Sequence, residues 1–194
     1  IRVYNGYGNS EKIILFGHVL KMSPMQRTAF RQNWIVNTFS MLRLFMVLPF
    51  KNARVSMEWE GFILYTDTQD NGYFKFEWSP SIPPRPGWHN ILVNLESEKY
   101  LSQNISGNGQ VLIPFNSSLA FISDIDDTFL VSHSSRLSKR LYVLLTKNAR
   151  TRKPFEGVIN HYKLLSVSGC PEGQSHPFFY VSSSEWNLFY FIKE

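Results

Sequence analysis

The chain has 194 residues and a formal net charge of +5, with 43% hydrophobic and 18% charged residues. This composition fits one ordinary globular domain or two small ones, and it excludes a disordered chain. A single cysteine, Cys170, excludes an internal disulfide and points mildly to a reducing compartment, while the positive balance points to an anionic partner of open identity.

Ile1-Arg2-Val3-Tyr4, followed by a glycine-rich turn over Asn5–Asn9, reads as a strand, and Ile13–Val19 as a second. After Pro24 a helical stretch carries Phe30, Trp34, Phe39, Leu42 and Phe45 roughly on one face. The apolar run Met41–Phe50 is too short for a bilayer, which takes about 20 apolar residues, and Arg43 interrupts it. From Ala53 the period becomes two. Val55, Met57 and Trp59 alternate with polar residues, as do Phe74, Phe76 and Trp78, and Gln69-Asp70-Asn71-Gly72 between them is a hairpin signal. The loop Ser79–Gly87 carries four prolines, so it is extended without being a strand. Trp88–Leu95 and Gln110–Pro114 complete the set. Together these segments predict an antiparallel β-sandwich-like domain over residues 1–116, with the helical stretch as an insertion and the aromatic stripe as core.

Near Pro114–Ser118 the pattern changes to strand, helix, helix, strand, helix: Leu119–Ser123, Ser135–Ala149, Phe155–Leu164, Phe178–Ser182 and Glu185–Lys193. That alternation predicts βαβ units, a parallel sheet and hence an α/β domain over residues 117–194. Its first strand empties into three carboxylates, Asp124, Asp126 and Asp127. Carboxylates this close repel and must be offset by a cation, by hydrogen bonds or by protonation. In an extended chain Asp124 and Asp126 share one side, so one could attack phosphorus while the other handles the leaving group's proton. A plain Asx-turn or helix cap is the competing account of Asp-Asp-Thr. The second strand ends at Ser182-Ser183-Ser184, whose hydroxyls and N–H groups suit a phosphate, with simple N-capping as the alternative.

Taken together, Phe121-Ile122-Ser123-Asp124-Ile125-Asp126-Asp127-Thr128 and Phe178-Phe179-Tyr180-Val181-Ser182-Ser183-Ser184-Glu185-Trp186-Asn187-Leu188 resemble the actin-patch-associated phosphatidate phosphatases and their bacterial relatives, within the haloacid dehalogenase superfamily. Val3–Gly8, Ala53-Arg54-Val55 and the words from Tyr65 to Phe74 are similar to that family's N-terminal β region, so the resemblance covers nearly the whole chain. One departure is Glu185, where family members often carry proline. Another is that the family's later lysine and acidic metal motifs do not occur before Glu194, so the chain reads as a C-terminally incomplete piece whose 194 residues alone are expected to be inactive.

The resemblance implies a haloacid dehalogenase-like, Rossmann-type second domain and a Mg²⁺-dependent phosphatase that converts phosphatidate to diacylglycerol. It makes Asp124 the nucleophile and Asp126 the general acid and base. Thr128, Ser182 and Ser183 become the substrate- and phosphate-binding residues, and the Asp124 carboxylate with the Asp126 backbone carbonyl the metal ligands. A non-catalytic module binding phosphatidate or other anionic lipid is the alternative, and retention of both Asp124 and Asp126 favours the enzyme. Between Asp127 and Glu156 no acidic residue occurs while seven basic ones accumulate. Either they form a solvated helix face, or Arg136, Lys139 and Arg140 lie on anionic lipid. A cytoplasmic protein, peripheral at a membrane surface, is the matching expectation. Nucleic acid is not expected as a partner, because aromatic and basic residues do not interleave as base stacking requires.

Overall fold

The structure is a computed structural model of the chain, and it describes residues 1–22, 47–96, 104–116, 119–125, 155, 157–182, 186 and 189. Two compact units divide the chain, Ile1–Ser23 with Leu48–Asn116, and Pro24–Val47 with Ser117–Glu194. The helices expected after Pro24, at Ser135–Ala149 and over most of Glu185–Lys193 lie outside the described residues. Among the described residues, no helix is long and apolar enough to cross a membrane.

The first unit is built from short alternating strands. Arg2–Val3 (β1), Gly6–Gly8 (β2), Ile13–His18 (β3), Arg54–Trp59 (β6), Phe62–Asp67 (β7), Tyr73–Trp78 (β8), Gly87–Glu96 (β9) and Ser106–Ile113 (β10) form one sheet. Leu20–Met22 (β4) and Leu48–Pro49 (β5) make a separate antiparallel ribbon. Alternation decides which side chains enter the core. Ile13 and Leu15 of β3 are fully buried, as are Val55 and Met57 of β6, Phe74 of β8, Val93 of β9 and Val111 of β10, in one continuous cluster. Gly17 lies opposite Phe74, and a Cβ at Gly17 would collide with that ring and with the Arg2 carbonyl. Thr68 ties the unit's loops together: its Oγ1 donates to the Phe50 carbonyl at 2.6 Å and accepts the Ala53 N–H at 2.8 Å.

The expected antiparallel β-sandwich is not what forms. The sheet runs β1-β3-β2-β10-β9-β6-β7 with β8 added on β3, and β10 pairs β2 in parallel while the other pairings are antiparallel. It is one mixed sheet, where a sandwich would be two packed antiparallel ones. Period-two alternation fixes which face of a strand is buried but not which strand lies alongside, and here the partners differ from chain order. The Gln69–Gly72 turn is present, closed by Gly72 N–H to Gln69 carbonyl at 2.8 Å, yet β8 pairs with β3 and β7 with β6. The tight hairpin is instead β6–β7. Trp59 pairs with Phe62 across Glu60 (φ 52°) and Gly61 (φ 80°), the two left-handed positions that a primed turn requires.

In the second unit, Phe121–Asp124 (β11) pairs in parallel with Phe178–Val181 (β12), with Phe121 opposite Phe178 and Asp124 opposite Val181. Helix α1, Val158–Val167, starts and ends three residues later than the expected Phe155–Leu164. The expected haloacid dehalogenase-like, Rossmann-type domain is therefore not what the described residues form: they give two parallel strands and one helix. A single strand–helix–strand unit has the same linear pattern as the opening of a doubly wound sheet, so the pattern could not tell the two apart.

Candidate active site at the ends of two parallel strands

Successive residues of β11 point to opposite faces. Phe121 and Ser123 lie on one, where Phe121 stacks on Phe178 (4.8 Å, 19°) and meets the edge of His176 (5.8 Å). Ile122 and Asp124 lie on the other, and both are exposed. Helix α1 covers the first face through a half-buried row of Val158, Tyr162, Leu165 and Ser166, at the spacing of one helix side. The Tyr162 ring stacks on Phe178 (5.1 Å, 27°) and leans on Tyr180 (6.4 Å, 33°). Burial, then the neighbouring Tyr162, holds the Tyr180 phenol above its ordinary range, so it stays protonated.

Asp124 is the last residue of β11. Its Oδ1 accepts the N–H of Ile125 at 2.9 Å, and the same N–H reaches the Val181 carbonyl at 3.0 Å. The peptide after Asp124 is thereby fastened to β12, and the second carboxylate oxygen has no part in that fastening. Beneath it, buried Ser123 places its Oγ 2.7 Å from the Tyr162 hydroxyl and 3.0 Å from the Asp124 carbonyl oxygen. Ser182 follows β12 directly, one residue past the partner of Asp124. Both strands end at the same level, so the two residues sit at the carboxyl edge of a parallel pair, where crevices for ligands form.

Of the residues singled out from the sequence, the structure brings Asp124 and Ser182 together at this edge. Asp126, Thr128, Ser183, Arg136, Lys139 and Arg140 lie outside the described residues. Because β11 stops at Asp124, the extended run that would carry Asp126 on the same side is described no further than Ile125. Sequence reasoning missed Tyr162 and His176. The helical spacing of Val158, Tyr162 and Leu165 could have flagged Tyr162 as facing the strands. Buried His176 has a structural place: its Nε2 donates to the Ser168 carbonyl at 2.9 Å and its N–H to the Ser166 carbonyl at 2.7 Å, which fastens the chain entering β12 to the end of α1.

The donor chemistry at this edge fits a magnesium ion. An exposed carboxylate supplies the hard oxygen that Mg²⁺ takes in small numbers alongside water and phosphate. Among the described residues, no three His, Cys, Asp or Glu side chains are grouped closely enough to hold a metal by themselves.

Residues 119–194 match the family model described as "Phosphatidate phosphatase APP1, catalytic domain". No curated protein and no solved structure matches the chain. The matched segment starts just before β11 and takes in α1, β12 and the edge that carries Asp124 and Ser182. Over residues 119–194 the chain is thus similar to the catalytic domain of phosphatidate phosphatase APP1.

Proposed function

We propose that this protein is a Mg²⁺-dependent phosphatase that hydrolyses phosphatidate, or a closely similar phosphorylated lipid, with Asp124 as the nucleophile. One observation carries the reading: within the family segment, an exposed carboxylate ends a strand of a parallel pair, and a serine ends its neighbour at the same level. A carboxylate held by one oxygen to its own peptide keeps the other oxygen available for in-line attack on phosphorus. The phosphorus–oxygen bond to the lipid breaks as the bond to Asp124 forms, which leaves an aspartyl-phosphate and a lipid alkoxide. Asp126 gives that alkoxide its proton, then takes one from the water that releases phosphate. Ser182, with Ser183 and Thr128, binds the phosphoryl oxygens. The Asp124 carboxylate and the Asp126 carbonyl would hold Mg²⁺, whose charge, when bound, offsets repulsion between two anions. Arg136, Lys139 and Arg140 are assigned to the anionic lipid surface, each worth roughly 1 kcal/mol there. A cytoplasmic protein in peripheral contact with the membrane is the setting this reading requires.

The test is phosphate release from phosphatidate vesicles by the intact protein with Mg²⁺, beside the Asp124→Asn variant. The substitution keeps shape and removes the nucleophile, so turnover should vanish while the thermal midpoint stays put. Wild-type rates from Asp124→Asn would refute the assignment. Vesicle binding without turnover by the wild type would make the protein a lipid-binding module instead.

A further inference from the structure

We infer that Tyr162 and Ser123 are positioning residues that fix the orientation of Asp124 through a directed hydrogen-bond chain; this rests on the phosphatase reading above. A carbonyl oxygen can only accept, so the single Ser123 hydroxyl proton goes to the Asp124 carbonyl at 3.0 Å. The Tyr162 hydroxyl, 2.7 Å from Ser123 Oγ, is then the donor to it. Protons therefore point one way, from Tyr162 to Ser123 to the Asp124 peptide.

That peptide is fastened at both ends. Its carbonyl is held by Ser123, and its N–H, on Ile125, by the Val181 carbonyl and by Asp124 Oδ1. Turning the peptide plane would carry the N–H away from Oδ1 and swing the carboxylate with it. Ser123 alone is a weak fastening, because a serine hydroxyl rotates to suit any acceptor. Tyr162 removes that freedom by occupying a lone pair of Ser123 Oγ. The phenol is in turn locked by its stack on Phe178 and its contact with Tyr180. Small displacements of a nucleophile cost rate out of proportion to stability, so such a chain affects turnover more than folding.

The experiment compares intact wild type, Tyr162→Phe, Ser123→Ala, Ser123→Thr and the Tyr162→Phe/Ser123→Ala double variant, on a water-soluble short-chain phosphatidate with Mg²⁺. Tyr162→Phe and Ser123→Ala should each lower kcat about tenfold, the order expected for one lost hydrogen bond. KM should stay within about twofold, since the chain touches the nucleophile's own peptide and not the substrate. The double variant should be no worse than either single one, because both break one chain. Ser123→Thr restores the hydroxyl and should recover most of kcat. Independently of catalysis, hydrogen exchange over 121–125 should quicken in Tyr162→Phe while exchange over 178–181 stays unchanged. Wild-type kcat and unchanged exchange in Tyr162→Phe, beside an inactive Asp124→Asn, would overturn this inference and leave the phosphatase reading intact. An Asp124→Asn variant as active as wild type, or an inactive wild type, would remove the reading and the inference with it.

Discussion

β3 and β11 put opposite kinds of side chain in their protected positions. In β3 the alternation delivers Ile13 and Leu15 to the core, both fully buried, as hydrophobic burial dictates. In β11 the sheltered place next to the strand end goes to Ser123, 7% exposed, while its neighbour Ile122 is 73% exposed. Polar groups in the first unit serve the fold: Thr68 Oγ1 accepts the Ala53 N–H and donates to the Phe50 carbonyl, and His18 lies buried with its Nδ1 2.9 Å from the Tyr4 hydroxyl. Those around β11 converge on one peptide, the one that carries Asp124. On the reading proposed above, β11 gives its sheltered place to a hydroxyl because its end carries the nucleophile.

Substitutions that treat the two regions alike should expose this difference. The largest stability effect is expected from Phe74→Ala, about 3–5 kcal/mol, because a fully buried ring leaves a cavity that the sheet cannot close. Urea denaturation measures it, and a loss under about 1 kcal/mol would mean the core is not continuous at that point. A reciprocal pair sharpens the comparison. Val55→Ser puts a hydroxyl among apolar side chains and should cost about 2–3 kcal/mol while leaving the kcat of the folded protein alone. Ser123→Ala removes the hydroxyl with little change of volume; it should shift the unfolding midpoint little and lower kcat. If the two variants behave alike, the contrast between the regions is wrong. The smallest effect is a pH dependence. Burial first, and then Arg2, lowers the His18 pKa from 6.5 to about 4. The unfolded chain therefore takes up a proton before the folded one, so the His18 contribution is full above pH 6.5 and declines as the pH falls towards 4. His18→Gln should flatten that decline in urea midpoints taken across this range.

Much of the sheet was legible because alternation is local. Val55 and Met57, Phe74 and Phe76, and Ile13 and Leu15 declare their buried face from spacing alone. β7 was not legible: Phe62-Ile63-Leu64-Tyr65 is a continuous apolar run with most of its side chains exposed, so it shows neither strand alternation nor helical period. Pairing was not legible either, since the parallel contact of β2 with β10 joins segments about a hundred residues apart, and nothing local encodes it. At the site, the Asp124 and Ser182 strand ends could be read because apolar runs stop there abruptly. Helical spacing can place Tyr162 on the side that faces the strands, but its contact with Ser123 could not be read, because it exists only once β11, β12 and α1 are brought together.

In the proposed reaction Asp124, at the end of β11, receives the phosphoryl group. An acyl-phosphate on an aspartate is reduced by borohydride to the corresponding alcohol, which marks the residue that carried it. The intact protein should be mixed with phosphatidate and Mg²⁺, quenched within one turnover, reduced, digested and read by mass spectrometry. The reduced residue should appear at position 124 and at no other, and only when substrate was present. A turning-over protein with position 124 unmodified, or with the mark on a different residue, would contradict it.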